Sequence, residues 1–460
     1  MPHVTRTVQR FAASALAVVA VSAGLAGHSS DWLEGYREPA ERLVRESLST
    51  RFAWNRLAEL TDRFGSRLSG SAGLDGALRW AFEEMRKDGL EHVRLEPVRV
   101  PHWVRGAESL ELTAPRPLPL VMLGLGNSVG TPGDGIEAEL IIVRSFTELQ
   151  ASAAAVRGRI VLYNAPFTSY GETVAYRLSG ASRAAALGAV AVLVRSIAPP
   201  GLRTPHTGTL EYDPGSPRIP AAAIPTEDAD RLQRMHDRGE RLRIRLRMGA
   251  TFLPDADSFN LVAEIAGRER PDEIVVVGGH LDSWDVGTGA ADDGAGCVAA
   301  WEALRLMKRL GLRARRTVRV VLWTNEENGL RGAHAYRDAH RAELANHVLM
   351  IESDSGVAAP LGFGFSGSDS GRDHVRAIAS LLGAVGADRV RSGGGGADIA
   401  PSVEAGRIPA MSLDAGGDYF LVHHTAADTV ERIDPGDMSR GAAALAVMAY
   451  VVADLPERLR

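Results

Sequence analysis

EIVVVGGHLDSWDVGTGAADDGAGCVAAWEALRLMKRLG, residues 273–311, decides the fold. Ile274–Val277 is an unbroken apolar run, the pattern of a strand buried on both faces. From Cys297 onward, apolar residues recur at helical spacing. A buried strand followed by a covering helix is the repeating unit of a parallel sheet. Between them lies Gly278–Gly296, with His280, Asp282, Asp285, Asp292 and Asp293 on a glycine-rich backbone. Three readings compete for that turn: a solvated acidic loop, a phosphate cradle, or half of a metal site. The cradle fails, because the glycines lack a G-x-G-x-x-G register and the only lysines of the chain are Lys87 and Lys308.

The same rhythm extends outward. Strand-like runs NLVAEIAG, RTVRVVLWT, ANHVLMIES, LGFGFSG and IPAMSLDAG alternate with helix-like runs such as GAHAYRDAHRAEL and DMSRGAAALAVMAYVVADL. This predicts an α/β fold over 251–460: a mixed, largely parallel sheet flanked by helices on both faces. Residues 27–118 carry three helix-like stretches and the strand-like HVRLEPVRVPHW, and complete that domain. Residues 119–250 differ. Short β-branched runs (AELIIV, GRIVLYN, AVAVLVRS), one helix (AYRLSGASRAAALGA) and a long proline-containing polar loop (202–220) predict a smaller inserted α/β unit.

Composition narrows the function classes. The formal net charge is −5 and no basic block of five residues exists, which argues against nucleic acid and anionic membrane surfaces as partners. The single cysteine, Cys297, excludes an intrachain disulfide and a cysteine-rich zinc site, and its apolar neighbours predict a core position. Residues 1–26 pair a start bearing Arg6 and Arg10 with an uncharged apolar run and small residues, as an export signal peptide does. The mature protein is expected to be soluble and exported, in the periplasm or outside the cell.

In open α/β sheets, ligands bind beyond the C-terminal strand ends. Read at those ends, the runs finish in His280 and Asp282, in Glu326 and Glu327, and in Glu352 and Asp354. YFLVHHTAADT follows the last strand with His423, His424 and Asp428. Imidazoles and carboxylates together suit zinc, and paired zinc ions form a hydrolytic centre. His280, Asp292, Glu327, Asp354 and His424 balance two ions if one aspartate bridges. Of the doubled histidines, the following Asp-Thr favours His424.

GGHLDSW, GAADDGAG, TNEENG, ESDSG and HHTAADT resemble the five metal-site motifs of the M28 zinc metallopeptidases, closest to the carboxypeptidase Q branch, over most of the chain. The 119–250 unit resembles the protease-associated (PA) domain inserted in that branch. The resemblance implies two zinc ions per chain, one on His280 and Asp354, the other on Glu327 and His424, with Asp292 between them. It implies Glu326 as general base, Asp282 as the acid that orients His280, and a cis Asp292–Asp293 peptide. Asp428 is expected to be structural. SGGGGAD, ending at Asp398, resembles a substrate-side loop; a surface loop is the competing reading. Tyr419, Phe420 and His423 are further substrate-side candidates, with core packing the competing role. The implied activity is exopeptidase cleavage of dipeptides or short peptides with free termini, with a homodimer as a family expectation.

Other classes stay in view. Aminopeptidase action on longer peptides is the near rival. A non-catalytic receptor on the same fold would not need the full ligand set, and glutaminyl cyclases share the fold with one zinc. GNSVG (126–130) matches the serine-hydrolase G-x-S-x-G, but TPGDGIEAE cannot begin the helix that motif requires.

Overall fold

The apolar runs pair as their patterning requires. In a computed structural model, which describes residues 31–459, eight strands form the larger sheet. Their order is Glu91–Val104, Thr251–Ile265, Arg316–Trp323, Arg270–His280, His347–Glu352, Ala410–Ala415, Pro360–Ser366 and Arg389–Ser392. The four middle strands, from Arg316–Trp323 to Ala410–Ala415, are mutually parallel, so their C-terminal ends share one edge. Antiparallel strands flank them, which makes the sheet mixed. The expected signal segment, 1–26, lies outside the described residues. Among the described residues no helix is long and apolar enough to cross a membrane.

Both faces are covered. Helices Ala295–Leu310, Pro435–Asp454 and Asp31–Leu48 pack together on one face. Pro435–Asp454 is buried at every position from Gly441 to Asp454, as an apolar surface all round a helix demands. Asp434 caps it by accepting the Gly436 and Asp437 N–H groups, with Pro435 opening the first turn. Cys297 is buried in this layer. On the other face, Tyr336 and Ile399 pack against Val262, Val276 and Val321.

A second eight-stranded sheet is built between the two longest strands of the first. Its order is Leu118–Leu120, Glu108–Ala114, Arg243–Met248, Ile136–Val143, Ile160–Tyr163, Ala191–Arg195, Ala221–Ile224 and Leu123–Gly124. The chain leaves along Glu91–Val104 and returns along Thr251–Ile265, which pair antiparallel. At the neck a Cβ on Gly106, at φ +68°, would lie 2.5 Å from the Gly249 carbonyl oxygen, so the crossing admits only glycine there.

Details of the inserted sheet differ from the sequence reading. Glu108–Ala114, ahead of residue 119, joins it through Arg243–Met248, because both chain ends meet at the neck. The single helix expected over AYRLSGASRAAALGA is two, Ala175–Leu178 and Gly180–Ala186, broken where Ser179 and Gly180 weaken the helix. Thr226–Asp237 is a helix that the sequence reading did not place. Ser128 of GNSVG is fully buried; its hydroxyl donates to the Val129 carbonyl and accepts the Ala221 N–H at 2.9 Å, so its role is structural.

Candidate metal centre

Each candidate ligand sits where the parallel strands run out. His280 ends its own strand. Glu326 and Glu327 follow Arg316–Trp323, and Asp354 follows His347–Glu352. His424 follows the short helix Tyr419–Val422, beyond the strand Ala410–Ala415. Asp292 lies in the π-turn Ala290–Gly294 that opens the helix after His280. The Asp292–Asp293 peptide is cis, as the family resemblance implies.

The five side chains converge as two groups that share Asp292. Nε2 of His280 is 3.3 Å from Oδ1 of Asp292 and 3.3 Å from Oδ1 of Asp354. Nε2 of His424 is 3.2 Å from Oδ2 of Asp292 and 3.1 Å from Oε2 of Glu327. Four ligands at about 2.0–2.1 Å from a tetrahedral ion stand roughly 3.3–3.4 Å apart. The observed separations of 3.1–3.3 Å are of that size, so the donor set fits zinc. Oδ2 of Asp292 is buried with no hydrogen-bond donor, which fits an acceptor reserved for a cation. His423 also comes within 3.8 Å of Asp292, and it forms a possible ligand group with Asp292 and His424. The shorter contacts of His424 favour it as the ligand; His423 stacks on its ring at 3.5 Å.

Neighbouring groups fix these ligands in orientation. A carbonyl can only accept, so Nδ1 of His280 donates to the Asp282 carbonyl at 3.0 Å, which leaves Nε2 free for a metal. His424 is held in the same sense by the Thr207 carbonyl, at 3.3 Å from Nδ1. The Asp282 carboxylate does not act as the sequence suggested. Its oxygens accept the Glu326 and Glu327 N–H groups at 3.1 and 3.3 Å, while its nearest approach to His280 Nδ1 is 3.9 Å. It therefore orients the Glu326–Glu327 turn, and only its main chain orients His280. Oε1 of Glu327 accepts the Trp284 N–H at 3.2 Å, which turns Oε2 to His424.

The turn itself is built from buried hydrogen bonds. Asp428 accepts the N–H groups of Ala291 and Asp292 at 2.7 and 3.1 Å. Asp293, without a role in the sequence reading, is fully buried and accepts the His280 and Gly296 N–H groups. Asp285 pairs with Arg105, 2.8 Å from Nε. Arg67 was also unforeseen; its buried guanidinium donates to the carbonyls of Gly65, Leu281, Thr288 and Gly289. The contacts of Asp428, of Arg105 with Asp285, and of Arg67 with Leu281, Thr288 and Gly289 join positions more than a hundred residues apart, which no local motif reveals.

So many acids in one buried place repel one another. Burial pushes the Glu326 carboxyl well up, and the charges of Asp354 and Glu327 add to that against the opposing His280. Burial and Asp292 together raise Glu327 to about 7. Burial also acts to raise Asp292, but the His280 and His424 imidazoles beside it outweigh that and hold the carboxyl well below its usual range. An excess of carboxylates over neighbouring cations is what a dication site needs.

A cleft of about 570 Å³ opens over these groups. Tyr419, Phe420 and His423 line it, beside Asp292, Glu326, Glu327, Asp354 and His424. Asp398 does not: it is fully buried behind the cleft, where Glu352 accepts the N–H groups of Asp398 and Ile399, and Ala397 takes the wall position. Short helices and loops of the inserted unit supply the opposite wall with Asn127, Tyr170, Arg177, Thr209 and Glu211.

Comparison with known proteins identifies the family and the fold. The profile of peptidase family M28 matches residues 260–449. Carboxypeptidase Q of Mus musculus is 46% identical over 431 residues, covering 93% of this chain and 92% of that protein. A crystal structure of a peptidase M28 precursor from Shewanella amazonensis SB2B superposes with a TM-score of 0.89 at 35% identity, covering 93% of this chain and 99% of the other. A zinc aminopeptidase from Bacillus subtilis shares the fold, with a TM-score of 0.66 at 20% identity over 88% of this chain and 96% of the other.

Proposed function

This chain belongs to peptidase family M28, in the likeness of carboxypeptidase Q, and from that premise we propose that it is an exported dinuclear zinc exopeptidase acting on dipeptides and short peptides with free termini. That it is a zinc-dependent metallo-exopeptidase follows from the family. The finer reading rests on one observation above all. Asp292 offers one oxygen to each of two histidine–carboxylate pairs, at separations of 3.2 and 3.3 Å from the imidazole nitrogens.

In this reading His280 and Asp354 hold one ion, Glu327 and His424 the other, and Asp292 serves both. Bound zinc supplies Lewis acidity towards the scissile carbonyl and lowers the pKa of a water from 15.7 towards about 7. Glu326 shares the cleft with the ligands and forms none of the contacts that join them, so its carboxylate is free to take the attacking water's proton. The same carboxyl then delivers a proton to the departing amine. Asp282 serves as a positioning residue, since its two oxygens hold the peptide groups of Glu326 and Glu327. Tyr419 and His423 contact the substrate side of the cleft. The inserted unit, expected over 119–250 and joined by the strand Glu108–Ala114, is read as a PA domain, the leader at 1–26 as the export signal, and the assembly as a homodimer.

The test is a panel of free dipeptides, end-blocked dipeptides and longer peptides, assayed before and after chelation. Chelator-sensitive cleavage of free dipeptides, restored by zinc, is the expected result. Faster turnover of long peptides would replace this reading with an aminopeptidase, and chelator-resistant cleavage would remove it.

A further inference from the structure

All but one of the arginines buried among the described residues have their charge or their fork satisfied in one of two ways. Arg56, Arg105, Arg195, Arg316 and Arg319 each meet a carboxylate. Arg67 does not, but four backbone carbonyls occupy its fork. Arg177, only 4% exposed, has neither arrangement. Nε donates to the Thr209 carbonyl at 3.2 Å, Nη1 to the Thr207 carbonyl at 3.4 Å, and Nη2 to the Tyr170 hydroxyl at 2.8 Å. That uses three of five N–H groups, all on neutral partners. Nη1 also faces Nδ1 of His424 at 3.3 Å, but that nitrogen must itself donate to Thr207 if Nε2 is to bind metal. Among the described residues no carboxylate lies within ion-pair distance of Arg177.

A buried cation without an anion is costly, and the missing partner has a place to sit. Arg177 lines the cleft that Glu326 and Asp292 share. Gly208 leaves room for it: a Cβ there, at φ +133°, would lie 2.2 Å from Nη1. Asn328, next in sequence to Glu327, adds a buried Nδ2 without a partner on the same cleft. It is linked to the Arg177 wall through Asn127, whose Nδ2 donates to Thr209 Oγ1 at 2.9 Å and to the Asn328 carbonyl at 3.4 Å.

We infer that Arg177 receives the α-carboxylate of a substrate's C-terminal residue, so that the helix Ala175–Leu178 of the inserted unit carries the recognition of a free carboxyl terminus. In a dipeptide only one Cα separates that carboxylate from the scissile nitrogen. Arg177 stands one imidazole ring away from the metal-facing nitrogen of His424, so both ends of that short span can be held together. The inference rests on the peptidase reading and names which terminus is recognised.

The test compares alanylleucine, its C-terminal amide and its N-acetyl derivative on the zinc-loaded wild type and on Arg177→Ala, Arg177→Lys and Tyr170→Phe. The wild type should prefer the free acid over the amide by about 30-fold or more, the loss expected when a buried charged partner is removed. Arg177→Ala should lose that preference through KM on the free acid, with the amide changed less than about threefold. Equal losses on acid and amide would assign Arg177 a structural role and overturn the inference. If Arg177→Ala fails to fold or to retain zinc, Arg177→Lys and Tyr170→Phe decide: each must raise KM for the acid more than for the amide, since Lys lacks the planar fork and Phe the hydroxyl that steadies it. Indifference of the wild type to C-terminal amidation, with sensitivity to N-acetylation, would overturn the inference and shift the reading to an aminopeptidase, while the metallopeptidase assignment stands. No cleavage of any substrate would bring down both.

Discussion

Glu326→Gln separates the proposed base from the proposed ligands. The four short contacts that join the ligands involve His280, Asp292, Glu327, Asp354 and His424, and Glu326 takes part in none. The main-chain N–H of residue 326 bonds to Asp282 at 3.1 Å, and glutamine keeps that bond. The variant should therefore bind zinc as the wild type does. General base catalysis contributes about 10²–10⁴-fold, so kcat should fall by that factor, about 3–5 kcal/mol in the barrier. Stability should move the other way. Burial and the charges of Asp354 and Glu327 raise the Glu326 carboxyl well above its ordinary 4.5 in the metal-free protein. A raised acid costs folding stability once pH rises above the unfolded value, and the cost grows until the folded group also ionises. Metal-free Glu326→Gln should thus melt above the metal-free wild type at neutral pH, and the gap should close near pH 4. Steady-state kinetics, metal analysis and paired melting curves read all three. Retention of a third or more of the activity, or loss of zinc together with activity, would refute the assignment.

Three further outcomes follow from the packing around the site. Arg105→Ala breaks a largely buried ion pair with Asp285 that ties the ligand turn to the neck, and should cost about 2–3 kcal/mol in a denaturant titration. In Gly126→Ala the added Cβ would meet the Trp284 ring at 1.9 Å, so the variant should lower both melting temperature and zinc retention; unchanged values would mean that Trp284 moves freely. Glu91 is held at about 2: burial pushes it up, but the Ala266 N–H, Lys308 and Arg313 outweigh that. Its stabilisation is present above the unfolded value near 4.5 and disappears as pH falls towards 2. Screening at this partly exposed site limits it to about 1 kcal/mol, so Glu91→Gln should be less stable than wild type at pH 7 and equal to it near pH 2.

The central sheet was legible because its strands are unbroken apolar runs, and a run that ends in an acid or histidine marks the edge where ligands gather. Asp285 and Asp293 were not legible. Identical in type and a few residues apart, they differ only in whether Arg105 or the His280 N–H comes to meet them. Asp282 shows the same limit. Its spacing from His280 suggested a side-chain bond, but the strand end directs its carboxylate across to the next strand's turn. Asp398 was drawn to the substrate by its glycine-rich loop, yet Glu352 pins the adjacent peptides and buries it. The wall that carries Tyr170, Arg177 and Thr209 had no sequence signal, because it comes from the inserted unit and meets His424 and Asn328 only through contacts between residues far apart in the chain.

The central claim is two zinc ions sharing Asp292, and metal content tests it most directly. The purified protein, freed of loosely held metal and reloaded, should contain two zinc ions per chain by elemental analysis. Asp292→Ala should retain fewer than one, because both groups lose an oxygen. A wild type that saturates at one zinc, or an Asp292→Ala protein that still holds two, would contradict the account.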